Sequence, residues 1–154
     1  MDLEGNDWKL ATAVAGLDSL YVTNGIDQTY KLSHRAAKLL GSLGEKPEVV
    51  CEKVKKSFGI RSGVFHGNKL NRKEINAVPE YLTLVYDYLR KSIILFLFLN
   101  EKEGLDKKAI IDYIDDSLIG AKKDGKDTLM NKLRSTESKL GCSYEELGLK
   151  GHMN

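Results

Sequence analysis

The chain has 154 residues, 42% of them hydrophobic and 30% charged. That is one domain's length with enough apolar material for a core, which excludes a disordered chain. The net charge of +2 and pI of about 8.4 exclude no partner class. Cys51 and Cys142 stand far from any paired Cys or His spacing, so no zinc site is expected and Cys51 reads as core. The longest apolar run, IILFLFL at 93–99, is far below the roughly 18–20 residues that span a bilayer. The polar, acidic start at 1–7 does not resemble a secretory leader, so a cytoplasmic protein with no membrane partner is expected.

In chain order, residues 8–22 predict a first helix with Leu10, Val14, Leu17 and Tyr21 inward and Asp18 at the edge of that face. Asn24-Gly25 marks a turn, and Asp27 is placed to cap a second helix running to about Leu40. Its stripe is Leu32, Ala36, Leu39 and Leu43, with His34 and Arg35 flanking it, and His34 reads as a surface or boundary histidine. After a loop at 41–44, Pro47 opens a third helix, a position that suits its fixed φ. Cys51, Val54, Phe58, Ser62 and Phe65 are predicted to share its face.

Residues 67–73 (GNKLNRK) predict a basic loop, 74–78 a short turn, and 79–100 a fourth helix starting at Pro79. That helix has two apolar stripes, one with Leu82, Val85, Leu89, Ile93 and Phe96 and one with Leu84, Tyr88, Leu95 and Leu99. Two stripes imply burial on both sides, against the core and against a partner subunit. After a polar link, 107–119 predict a fifth helix with Ile110, Ile111, Ile114 and Leu118 inward. Asp112, Asp115 and Asp116 then face outward, as a solvated face rather than a metal site. A loop at 120–125 leads to a weaker helix at 127–140 carrying Leu129, Met130 and Leu133, and the tail from about 141 is expected to be partly mobile. No stretch alternates with strand period, so the expectation is a single all-α domain, an up-and-down bundle of five to six helices.

One stretch stands apart: Ile60-Arg61-Ser62-Gly63-Val64-Phe65-His66-Gly67. An arginine holds a phosphate with two parallel N–H bonds, and a histidine moves a proton near neutral pH. Together they are the minimum for cleaving RNA without a metal. Between residues 46 and 73 there are eight basic residues against two acidic ones, so the remainder of the chain is net acidic. Asn68, Lys69 and Arg72 are placed to reach an RNA backbone, or else simply to keep the surface soluble. Gly59, Gly63 and Gly67 recur every fourth residue, either as a small-residue stripe for a close helix neighbour or as helix terminators. Arg61 and His66 diverge by about 140° on a regular helix. Either the helix opens near these glycines, or a second subunit brings its own pair.

The run from Arg61 to Gly67 resembles the Arg-polar-x-x-x-His signature of HEPN domains, above all the Apea-like branch, which reads Arg-Ser-x-x-x-His-Gly. Residues 8–21 (WKLATAVAGLDSLY) resemble the first helix of that family, 32–41 (LSHRAAKLLG) its second, and 88–94 its long fourth. Asp18 departs from the family's more usual Glu, and Ser62 from the Asn, Asp or His of other branches. The resemblance implies a HEPN-like bundle and a homodimer with the motif at its interface. It also implies a metal-independent endoribonuclease of toxin or defence type, with no cofactor and with RNA and an antitoxin or other protein as partners. Arg61 and His66 would be catalytic and Ser62 and Asp18 supporting, with Asp18 either orienting Arg61 or His66 or serving as a plain surface acid. The alternative is a non-catalytic HEPN-like dimer binding RNA, a nucleotide or a protein.

Overall fold

The computed structural model describes residues 5–120 and 128–150. Six helices make up the fold: α1 (Asn6–Tyr21), α2 (Gln28–Gly41), α3 (Pro47–Phe65), α4 (Arg72–Glu103), α5 (Lys107–Ile119) and α6 (Leu129–Leu140). No strand occurs among the described residues. The predicted loop beyond Gly120 and the predicted start at Asp127 lie outside them.

Helix α1 packs between α3 and α4, α2 backs onto α3 and α5, and α6 rides on α4. Leu10, Val14, Leu17 and Tyr21 are fully buried, as their spacing predicts, and they meet Leu32, Leu39, Val54, Val85 and Leu95 in one core. Gly16 on α1 faces the Leu89 side chain, which lies 3.1 Å from where a Cβ would sit, so the α1–α4 approach uses the missing side chain. The Tyr21 hydroxyl shares a 2.8 Å hydrogen bond with Ser92, and burial pushes its pKa far above the usual phenol value despite that bond.

Helix α4 begins seven residues before Pro79, contrary to the predicted loop and turn. Asn71 caps it by accepting from the Lys73 and Glu74 amides, while Glu74 accepts back from the Asn71 amide at 2.8 Å. That capping box satisfies three otherwise free donors. Pro79 sits inside the helix, where it donates no backbone hydrogen bond. The 32-residue helix is about 48 Å long. Its buried face holds Val78, Val85, Tyr88, Leu95, Phe96 and Leu99, whereas Ile93 and Leu97 remain exposed. Lys91, just before the apolar run, is also buried, and its ammonium reaches Glu45 at 2.5 Å and Asp87 at 2.6 Å.

Further details refine the helical reading. Arg35, beside the α2 stripe, is buried, and Asp115, expected to face outward, pairs with it while staying partly exposed. Asp27 occupies the N-cap of α2 in a left-handed conformation (φ 53°) and makes no side-chain cap bond. Met130 is exposed, while Tyr144 and Leu149 from the tail are buried; the Tyr144 hydroxyl donates to the Leu133 carbonyl at 2.7 Å. Among the described residues, no helix is long and apolar enough to cross a membrane.

Candidate functional site

Helix α3 stays helical through Gly59 and Gly63 and ends at Phe65. His66 is its C-cap, and Gly67 follows in the left-handed region at φ +69°. The Gly67 amide donates to Val64 at 3.1 Å and the Asn68 amide to Gly63 at 2.9 Å, which closes a Schellman turn. Gly67 is therefore a terminator that its positive φ demands, and the helix runs unbroken to Phe65 and stops there, between Arg61 and His66. Among the described residues, nothing lies within 4 Å of the site of a Cβ on Gly59 and Gly63 meets only Leu70 at 3.5 Å, so none of the six helices covers the stripe.

The buried spine of α3 is Val50, Val54, Ser57, Ile60 and Val64. The predicted face is thus rotated: Cys51, Phe58 and Ser62 are half-buried and Phe65 is exposed. The rotation puts the two aromatics to another use. Phe58 and Phe65 lie at i−3 and i+4 from Arg61, on its own side of the helix. Each ring centre is 5.1 Å from the guanidinium carbon, so the arginine is held between two aromatic faces. Trp8 in turn sets its ring edge-on to Phe65, with centroids 5.7 Å apart.

Across from it, Asp18 on α1 approaches the Arg61 guanidinium at 3.6 Å. Both side chains are largely shielded, at 24% and 16% exposure. The pairing is incomplete. Arg61 Nε, Asp18 Oδ1 and the nearby Ser57 Oγ are buried with no hydrogen-bond partner among the described residues. Unmet buried groups cost free energy and are usually explained by strain, water or function.

His66 is exposed, and its backbone amide donates to the Ser62 carbonyl at 3.1 Å. Five positions separate it from Arg61, an offset of about 140° on a regular helix, and His66 caps the helix rather than continuing it. Asn68 and Lys69 line a cleft of about 690 Å³ beside the motif, and Arg72 is exposed in the first turn of α4. Two lysines of the basic segment are engaged elsewhere. Lys53 bonds Glu80 at 2.5 Å, which holds its pKa above the usual value, and Lys56 pairs with Glu52 on the same helix. His34 lies apart from this region, its Nδ1 3.0 Å from the Tyr30 carbonyl and its ring against Tyr30.

The structure thus brings Asp18 to Arg61 and sets Asn68 and Lys69 on the turn that follows His66. Sequence reasoning missed Phe58 and Phe65 as neighbours of the arginine, and Trp8 as the brace behind Phe65. The aromatic spacing around Arg61 was the available signal. Comparison with known protein families, with characterised proteins and with solved structures finds no match to this chain.

Proposed function

We propose that this chain is a metal-independent endoribonuclease of toxin or defence type, resembling the Apea-like HEPN domains. The observation that carries the reading is the loosely paired Arg61, oriented by Asp18 and two aromatic rings, five residues before an exposed His66. In this reaction the ribose 2′-hydroxyl attacks the adjacent phosphorus and the 5′-oxygen leaves. His66 takes the proton from the one or gives a proton to the other, and Arg61 stabilises the charge growing on the phosphoryl oxygens. Because Arg61 stands within α3 and His66 only caps its end five residues later, one chain does not aim both at one phosphate in this reading, and the cleft is composite, formed in a homodimer from both subunits. The uncovered surface over Gly59 and Gly63 leaves room for that approach.

Incubation of labelled RNA in EDTA with the wild type, Arg61→Ala and His66→Ala tests the reading. Cleavage by the wild type alone is expected. A requirement for magnesium, or full activity in either variant, contradicts it. Nucleotide or RNA binding without cleavage would instead favour the non-catalytic dimer.

A further inference from the structure

Beside the motif, a cleft of about 690 Å³ opens between the start of α1, the turn after α3 and the first turns of α4. That is within the roughly 300–1,000 Å³ of sites that take a small organic ligand. Trp8, Val64, Leu70, Ile75 and Val78 give it apolar walls. Asp7, Asn68 and Lys69 are its charged or amide-bearing side chains. Trp8 is 53% exposed and braced on Phe65, and Phe65 itself lies against the Arg61 guanidinium. An aromatic ring stacked on Trp8 in the cleft would therefore have two side chains, Trp8 and Phe65, between it and the arginine.

The polar groups narrow the ligand. Lys69 is a cation fit for a phosphate, and Asn68 can both donate and accept. Asp7 is the odd member, a carboxylate in a basic neighbourhood that an RNA backbone would avoid. Its Oδ1 accepts the Trp8 amide at 2.8 Å, which leaves accepting capacity on the carboxylate. Guanine offers two adjacent donors on its pairing edge, N1–H and the N2 amine. Adenine offers an acceptor, N1, beside its single amine. A carboxylate at the base edge thus favours guanine.

We infer that this cleft is the base subsite for an unpaired guanine nucleotide. Its link to a scissile phosphate rests on the ribonuclease reading; the recognition of the base does not. Trp8 is the chain's single tryptophan, so its fluorescence, excited where nucleotides are transparent, reports the cleft directly. GMP is expected to quench it saturably, AMP to require about tenfold more, the equivalent of one hydrogen bond, and ribose 5-phosphate to leave it unchanged. Asp7→Asn should weaken GMP to the level of AMP. Ile75→Glu, at a half-exposed wall position, should abolish both responses without altering the circular dichroism spectrum. Equal quenching by all three compounds, no saturation with GMP, or a GMP response indifferent to Asp7→Asn overturns the inference. Guanine-selective quenching without RNA cleavage keeps the subsite and removes the ribonuclease; cleavage without quenching does the reverse.

Discussion

Two arginines meet two aspartates across helix interfaces, and they are held very differently. Arg35 on α2 donates from Nε and Nη2 to the two carboxylate oxygens of Asp115, both at 2.7 Å, and from Nη1 to the Tyr21 carbonyl at 2.6 Å. Arg61 on α3 has one contact to Asp18, at 3.6 Å, and its Nε is unpaired. A buried guanidinium with all three nitrogens bonded, two of them in a fork on one carboxylate, is poorly placed to take a ligand. A shielded one with free donors between two aromatic rings is already positioned, and still has bonds to make. The first joins α2 to α5 and α1 and is structural; the second is where a phosphate would gain most.

The comparison can be broken in several ways. The largest effect is expected on cleavage: Arg61→Ala or His66→Ala should each lower the rate by about 10²–10⁴-fold with little change in melting temperature. Mixing the two inactive variants restores part of the activity if each cleft draws its arginine from one subunit and its histidine from the other. No recovery, after verified subunit exchange, contradicts that sharing. Arg35→Ala should show the opposite pattern. Breaking the Arg35–Asp115 pair costs about 2–3 kcal/mol, at the low end for a buried ion pair because Asp115 is 42% exposed. The melting temperature should fall by about 5–10 °C, with activity per folded molecule unchanged. An active-site defect in the folded fraction would dissolve the distinction.

Smaller effects sharpen it. Asp18→Asn removes the charge that orients Arg61 while keeping an acceptor in place. We expect kcat to fall about tenfold with KM steady, since the arginine acts on charge that develops in the transition state. A change in thermal stability alone would make Asp18 structural. The smallest effect concerns the buried Lys91 with Glu45 and Asp87. Burial acts to raise the Asp87 pKa, but hydrogen bonds from Lys91 and Arg90 outweigh it and hold the carboxyl below its usual value. Burial likewise acts to lower the Lys91 pKa, and its two carboxylate partners outweigh it, so the net shift is upward. The Asp87 contribution is therefore present above its unfolded pKa of about 3.9 and lost as pH falls through the folded value. The Lys91 contribution is complete below about 10.4 and lost as pH rises through its folded value. Thermal melts should show a plateau between these limits, and Lys91→Met should flatten both flanks.

Local patterns made much of this fold readable. Helix α5 runs over the predicted residues because Asp106 caps one end, accepting the Ala109 amide, and Gly120 ends the other at φ +64°. The start of α4 was equally local, yet Pro79 obscured it; the Asn71–Glu74 box was the better signal. What the sequence hides is long-range. Nothing near Arg35 announces Asp115, 80 positions away, and nothing in the apolar run after Lys91 announces Glu45. For α3, two large aromatics drew the predicted face toward themselves, while the true spine includes the small Ser57. At the candidate site the arginine and histidine were legible as residue types and Asp18 as a partner. The aromatic clamp was not, because it depends on which side of the helix the core occupies.

The ends of the RNA fragments test the central claim most directly. After incubation in EDTA, mass spectrometry of a cleaved oligonucleotide should find a 2′,3′-cyclic phosphate on one fragment and a 5′-hydroxyl on the other. Fragments ending in a 3′-hydroxyl and a 5′-phosphate would mean that water, not the neighbouring 2′-hydroxyl, attacks the phosphate, and would contradict the account.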